Sequence, residues 1–157
     1  MIYFRNEVRA SGVNARALKA AMRKLLASVD ENDSAISLTL VDDERIAQLN
    51  KEHLGKDKAT DVLSFPLHDP REGRPKPAAS PQPEHLLGDI VISIDTARRQ
   101  AADYGAPLER EIERLMIHGL LHVLGHDHMQ TEERAAMEAE ERRLAAAIGM
   151  PWPFDET

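Results

Sequence analysis

The chain has 157 residues, of which 42% are hydrophobic and 30% are charged. This length suits a single domain over residues 1–157 with a sizeable buried core, and this composition is typical of a globular protein. There is no cysteine, which excludes disulfides and thiolate metal sites, so the seven histidines are the notable candidate ligands. The net charge of −7 is unusual for a nucleic-acid-binding protein, because such proteins generally carry an excess of Lys and Arg.

The sequence also bears on where the protein acts. Its first ten residues, MIYFRNEVRA, lack the apolar core of a secretion signal, and no stretch approaches the roughly 18 apolar residues of a membrane span. We therefore expect a cytoplasmic protein with no membrane contact.

The hydrophobic pattern predicts strands and helices in the order βαβαββααα. In chain order we predict a strand over 2–8, a helix over 14–29, a strand over 35–41, a helix over 42–55 and strands over 60–65 and 90–94. Three helices follow, over 93–105, 107–124 and 132–148. This order predicts one α/β (α+β) domain with a small mixed sheet packed with helices.

A proline-rich loop is predicted over residues 66–87, which contain six prolines and few apolar residues. No packed element fits that composition. The loop is interpreted as a spacer or as a flap that gates a substrate site. His68 and His85 lie in it, and we expect both to be solvent-exposed.

Three histidines at the end of the helix over 107–124 are spaced as metal ligands. His118 and His122 are four residues apart, so on a helix they share one face with Cβ atoms about 5–6 Å apart. Gly125 can adopt the left-handed conformation that ends a helix, which lets the chain turn back and bring His128 to the same point. Three imidazoles and a water satisfy a catalytic zinc ion. We therefore predict one Zn²⁺ per chain.

Two residues lie between Gly125 and His128. His126 directly follows the glycine, and we expect it to point away from the metal. Asp127 directly precedes the third predicted ligand. It could orient a ligand histidine, act on the zinc-bound water or serve only as a turn residue. Asp127 is therefore the candidate catalytic residue.

The frame H-x3-H-x2-G-x2-H also occurs in metzincin proteases, where a glutamate beside the first histidine is the general base. Gly119 stands at that position and cannot accept a proton. The segment 118–128 (HGLLHVLGHDH), with 55–66 (GKDKATDVLSFP) and 87–93 (LGDIVIS), instead resembles the YbeY family of bacterial metal-dependent endoribonucleases. The resemblance covers most of the chain from about residue 35 to 148.

The resemblance implies a zincin-like fold with a four-stranded sheet against the zinc helix. It implies zinc-dependent cleavage of single-stranded RNA in ribosomal RNA maturation, at the 3′ end of the small-subunit RNA, and a role in ribosome quality control. The ribosome or its small subunit would then be a partner. Zinc can lower the pKa of bound water from 15.7 to about 7, which serves hydrolysis of either a phosphodiester or a peptide. A zinc peptidase and a non-catalytic ribosome-associated factor with a structural metal therefore stay open as alternatives.

Cleavage of RNA requires cations near the transferring phosphoryl group. Lys56 and Lys58, just before the third predicted strand, are the predicted substrate-binding residues, and Asp61 is expected to order their turn. In the family that the chain resembles, many members carry an arginine at the position directly before Gly55, in a block like Y-R-G-K-D-K. This chain has Leu54 there, which cannot make a bidentate phosphate contact.

Overall fold

The computed structural model describes residues 1–9, 11–67, 85–126 and 131–151, with only the backbone of Thr131. Within these ranges the strands and helices follow the predicted order. The strands are β1 (Ile2–Asn6), β2 (Ser34–Val41), β3 (Val62–Pro66) and β4 (His85–Ser93). The helices are α1 (Ala15–Ser28), α2 (Asp43–Leu54), α3 (Ile94–Tyr104), α4 (Leu108–Val123) and α5 (Thr131–Ala147). Every helix in the described part of the chain is too short or too polar to cross a membrane.

The four strands form one mixed sheet in the order β1-β2-β4-β3, which confirms the predicted fold class. β1 and β4 both run parallel to β2, whereas β3 runs antiparallel to β4 at the edge. Because side chains alternate along a strand, the sheet has two faces. The core face, which includes Leu38 and Ile90, packs against residues of α1, α4 and α5. The α2 face, which includes Leu63 and Val91, is covered in part by Ile46 of α2.

The helix boundaries follow from local capping chemistry. Asn14, Asp42 and Ser93 have extended backbones, and each side chain accepts a hydrogen bond from the backbone N–H three residues later. Gly55 and Gly105 end α2 and α3 in the left-handed conformation, at φ of 71° and 66°. The three helices therefore begin and end close to the residues that the sequence predicts, and Asp42 and Ser93 are the N-caps where Asp43 and Asp95 were the alternatives.

α4 is the central helix, and it lies against the core face of the sheet. A Cβ atom on Gly119 would come within 2.8 Å of Cγ2 of Ile90 on β4. The buried part of α4 also contains charge, since Arg114 donates hydrogen bonds of 2.7 and 2.6 Å to the two carboxylate oxygens of Glu111. This bidentate pair satisfies two charged groups that would otherwise be unfavourable in the core.

The prediction that no packed element lies within residues 66–87 is wrong at both ends. Pro66 is the last residue of β3, and β4 begins at His85, which pairs with Ser34 of β2. His85 is therefore partly buried in a strand, not solvent-exposed as expected. β4 is longer than predicted because this pairing comes from a distant strand, which local composition does not reveal. His68, and the choice between a spacer and a flap for residues 68–84, lie outside the described residues.

The first strand is shorter than predicted. It ends at Asn6 rather than continuing to Val8. The side-chain oxygen of Asn6 accepts a hydrogen bond of 2.9 Å from the backbone N–H of Val8, a local turn that takes the chain out of the sheet.

Candidate metal centre

His118 and His122 meet on one face of the last turns of α4. Their Nε2 atoms lie 3.1 Å apart, and their ring centroids lie 4.6 Å apart with 70° between the ring planes. Two nitrogens that each lie 2.0–2.1 Å from a tetrahedral zinc ion are about 3.3 Å from one another. The two rings therefore fit a shared zinc ion, with their Nε2 atoms already turned toward a common point.

α4 ends directly after these histidines, at the glycine where the sequence predicts its end. Gly125 has a φ of 102°, a conformation that strongly favours glycine. Its N–H donates to the carbonyl of His122 at 3.0 Å, and the N–H of His126 donates to the carbonyl of Leu121 at 2.9 Å. These bonds satisfy carbonyls at the end of α4 and terminate the helix at this turn.

The other residues predicted for the metal centre follow this turn in the sequence. His128 and Asp127 lie outside the described residues, so the third ligand and the catalytic residue stay predictions. No three His, Cys, Asp or Glu side chains converge as metal ligands within residues 1–9, 11–67, 85–126 and 131–151. The described half of the site is the histidine pair on α4.

A residue that sequence reasoning missed lies behind the pair. Glu141 of α5 is 7% exposed, and its Oε2 lies 3.9 Å from Nδ1 of His118. In the sequence, Glu141 is one of several acidic residues clustered in the last helix. Helical spacing could have indicated that Glu141 is buried, since Met137, Leu144 and Ala145 lie on the same stripe of α5 and are all buried.

The end of α4 that carries the pair lies at the edge of the sheet. A Cβ atom on Gly88 would lie 3.2 Å from Cγ1 of Val123 and 2.5 Å from the carbonyl oxygen of Phe65. Glycine at 88 is thus required by the close approach of β3 on one side and α4 on another. The C-terminal ends of α4 and β3 therefore meet at this position.

The same edge is reached by α2 from the opposite face of the sheet. The ring of His53, in the last turn of α2, contacts the ring of Phe65 with centroids 4.9 Å apart. Leu54 and the turn with Lys56 and Lys58 follow directly. The predicted substrate-binding turn thus begins at the edge of the sheet where α4 ends.

The lysine turn is ordered by Asn50, not by Asp61 as expected. Asn50 is 2% exposed, and its side-chain amide donates a hydrogen bond of 3.0 Å to the carbonyl of Lys58. Asp61 instead accepts from the N–H of Val62 at 2.8 Å and from the side chain of Gln100 at 3.3 Å. Asp61 therefore fixes the start of β3 against α3.

A cleft of about 360 Å³ lies on the α2 face of the sheet. Its lining includes Arg45, Phe65 and Asp89. The side chain of Asp89 thus faces away from the histidine pair, because its neighbour on the strand, Ile90, packs under Gly119 on the core face. The direct approach of Asp89 to the metal centre is excluded by this geometry.

Comparison with known proteins identifies the family. The model of the family described as Endoribonuclease YbeY matches residues 3–149. The chain belongs to the YbeY endoribonuclease family. An Endoribonuclease YbeY from Desulfitobacterium hafniense is 45% identical over 78% of this chain and 77% of its own length. One from Myxococcus xanthus is 47% identical over 87% of this chain, which corresponds to 44% of that longer protein.

A solved structure shows the same fold. The solution structure of TM1509 from Thermotoga maritima superposes with a TM-score of 0.64, covering 94% of this chain and 89% of that one. The two sequences are 24% identical. The fold formed by the mixed sheet and its helices has therefore also been observed in a solution structure.

Proposed function

We propose that this YbeY-family endoribonuclease acts in ribosomal RNA maturation by zinc-dependent hydrolysis of phosphodiesters in single-stranded RNA. The main support for a bound metal ion is the 3.1 Å separation of the Nε2 atoms of His118 and His122. His128 would complete the ligand set from beyond the turn at Gly125. When bound, zinc activates water and polarises a phosphoryl oxygen.

Residues of the chain would hold the zinc ion and orient the groups around it. α4 fixes both rings, because it is packed against the core face and cannot shift without disturbing Ile90. The side chain of His118 is 25% exposed, so one side of the pair stays open to a substrate. Asp127, next to the third ligand, is proposed to orient a ligand histidine or to move a proton of the attacking water.

Lys56 and Lys58 are proposed to bind phosphates of the RNA. Both side chains are exposed, and neither forms an ion pair with any residue that the structure describes. Leu54, at the position of the family arginine, is 57% exposed on the preceding turn. Lys56 is the cation closest in sequence to that position, and both lysines can contact phosphate as point charges.

The structure weighs against the peptidase alternative at one position. The metzincin mechanism needs a glutamate at residue 119. Because even a Cβ atom there would overlap Ile90, no side chain can project from that position toward the metal. We further propose a cytoplasmic location and association with the ribosome or its small subunit, where quality control of ribosomal RNA would take place.

The test is cleavage of single-stranded ribosomal RNA by purified protein and by the variants His118→Ala, His122→Ala and His126→Ala. We expect metal-dependent cleavage by the parent and by His126→Ala, and loss of cleavage in the other two. Cleavage that survives in both His118→Ala and His122→Ala would contradict the proposal. RNA binding by the parent without cleavage would favour the non-catalytic ribosome-associated factor, and cleavage of unstructured peptides would favour the peptidase.

A further inference from the structure

The carboxylate of Glu141 faces the nitrogen of His118 that does not face His122. We propose that Glu141 is a positioning residue for the metal centre, which accepts a hydrogen bond from Nδ1–H of His118 and so holds Nε2 toward the metal. This inference rests on the proposed metal centre. It assigns a role to α5, which contributes no predicted ligand.

The two ring nitrogens of His118 face two different side chains. Nε2 lies 3.1 Å from Nε2 of His122, whereas Nδ1 lies 3.9 Å from Oε2 of Glu141. A neutral imidazole carries one N–H and one lone pair. When the lone pair on Nε2 is given to a metal, the proton must reside on Nδ1, where Glu141 is the facing acceptor. The observed 3.9 Å requires only a small side-chain adjustment to become a hydrogen bond.

The burial of Glu141 supports a specific role for its charge. The residue is 7% exposed, and its side chain is 9% exposed. Among the described residues, no hydrogen bond or ion pair of this carboxylate is found apart from the contact with His118. A buried carboxylate with no partner is unfavourable. A histidine whose other nitrogen binds a cation supplies the positive charge and the donor that this carboxylate lacks.

The backbone around Glu141 is well suited to hold it in place. α5 packs against both α1 and α4. Met137 and Leu144, one turn before and one turn after, are both fully buried. The carboxylate is therefore fixed by packing on both sides, which leaves little freedom for it to move away from His118.

A matched pair of variants separates positioning from a merely structural role. Glu141→Leu removes the acceptor and keeps an apolar side chain of similar length in the buried position, and Glu141→Gln keeps an acceptor without charge. Glu138→Leu makes the same change on the exposed side of α5. For each, zinc affinity would be measured by chelator competition and stability of the metal-free protein by thermal unfolding.

We expect Glu141→Leu to weaken zinc binding about 10- to 100-fold and Glu141→Gln to weaken it less, with Glu138→Leu unchanged. The melting temperature of metal-free Glu141→Leu should equal or exceed that of the parent, because a buried charge has been removed. In the zinc-loaded parent, NMR should show the proton of His118 on Nδ1 in a strong hydrogen bond, and that signal should be lost in Glu141→Leu.

Two failures are distinguishable. A parent protein that binds no zinc would overturn the proposed metal centre and this inference with it. A parent that binds zinc while folded Glu141→Leu binds it within twofold of the same affinity would overturn the role of Glu141 alone. Should Glu141→Leu fail to fold, the affinity and Nδ1–H signal of Glu141→Gln decide, and values identical to the parent's would contradict the inference.

Discussion

Gly119 on α4 and Ile90 on β4 are in contact with no room for a side chain on the helix. The nearest atom of Ile90 to a Cβ at position 119 would be Cγ2, at 2.8 Å. Since His118 directly precedes this contact and His122 follows one turn later, the contact sets the distance of the histidine pair from the sheet. The absence of a side chain at 119 therefore positions the site and also excludes the glutamate of a metzincin.

Replacement of Gly119 by alanine should destabilise the protein despite the better helix propensity of alanine. Alanine gains about 1 kcal/mol in a helix interior, but overpacking of a core costs about 1–3 kcal/mol. Ile90 is fully buried and β-branched, so it cannot move aside at low cost. We expect a net loss in the free energy of unfolding, measured by urea denaturation.

The matched control is the double variant Gly119→Ala with Ile90→Ala. Each single change should destabilise, but the added methyl at 119 fills part of the space left by Ile90, so the double variant should be less destabilised than the sum. Strict additivity of the two changes would show that the predicted overlap does not exist.

Asp43 should make the stability of the protein depend on pH in the acid range. Its Oδ1 accepts hydrogen bonds of 2.6 Å from the hydroxyls of Ser93 and Thr96, and its Oδ2 accepts one of 2.8 Å from Arg99. Burial disfavours the charged carboxylate, but these hydrogen bonds and the charge of Arg99 outweigh it and hold the pKa of Asp43 below its ordinary value of 3.8. The carboxylate thus joins α2 to the start of α3.

Because that pKa is lowered in the folded state, its stabilisation is present above pH 3.8 and is lost as the pH falls through the lower folded-state pKa. We expect Asp43→Asn to lose about 1–3 kcal/mol at pH 7 and to approach the parent well below pH 3.8. Asp42→Asn is the control, since asparagine caps a helix as well as aspartate. A pH-independent difference for Asp43→Asn would refute the ionic origin of the effect.

Removal of Lys56 and Lys58 should weaken binding to single-stranded RNA with a reduced dependence on salt. Each phosphate contact contributes about 0.7 to the slope of log K against log salt concentration. Lys56→Ala/Lys58→Ala should therefore lower that slope by about 1.4 if both lysines contact phosphate. Lys24→Ala, an exposed lysine of α1, serves as the control. An unchanged slope in the double variant would remove these residues from the RNA-binding surface.

Leu54→Arg should increase affinity for single-stranded RNA. The leucine is 57% exposed, so an arginine fits there without repacking, and its guanidinium can contact phosphate bidentately. Binding of a single-stranded oligonucleotide at low salt would be compared with Leu54→Gln, which removes the exposed leucine without adding charge. Equal affinities for the two variants would indicate that RNA does not pass over this turn.

Much of the fold could be predicted from sequence because its signals are local. The caps at Asn14, Asp42 and Ser93 act through the next three residues, and the alternation in β2 is visible in the strand itself. The start of β4 could not be predicted, because the strand character of His85 comes from its pairing with Ser34, about fifty residues earlier. The prolines that precede His85 in the sequence instead predicted a loop.

The candidate site was predictable in part for the same reason. The approach of His118 to His122 follows from helix geometry alone. The contact between Glu141 and His118 depends on how α5 packs against α4, so it appears only in three dimensions. The same holds for Asn50, whose buried side chain orders a turn eight residues away.

The most direct test of the metal centre is the zinc content of protein purified without chelators or a nickel affinity column, measured by inductively coupled plasma mass spectrometry. We predict one zinc ion per chain in the parent and in His126→Ala, and less than a tenth of that in His118→Ala, His122→Ala and His128→Ala. A parent without bound divalent metal, or full zinc occupancy in His122→Ala, would contradict this prediction.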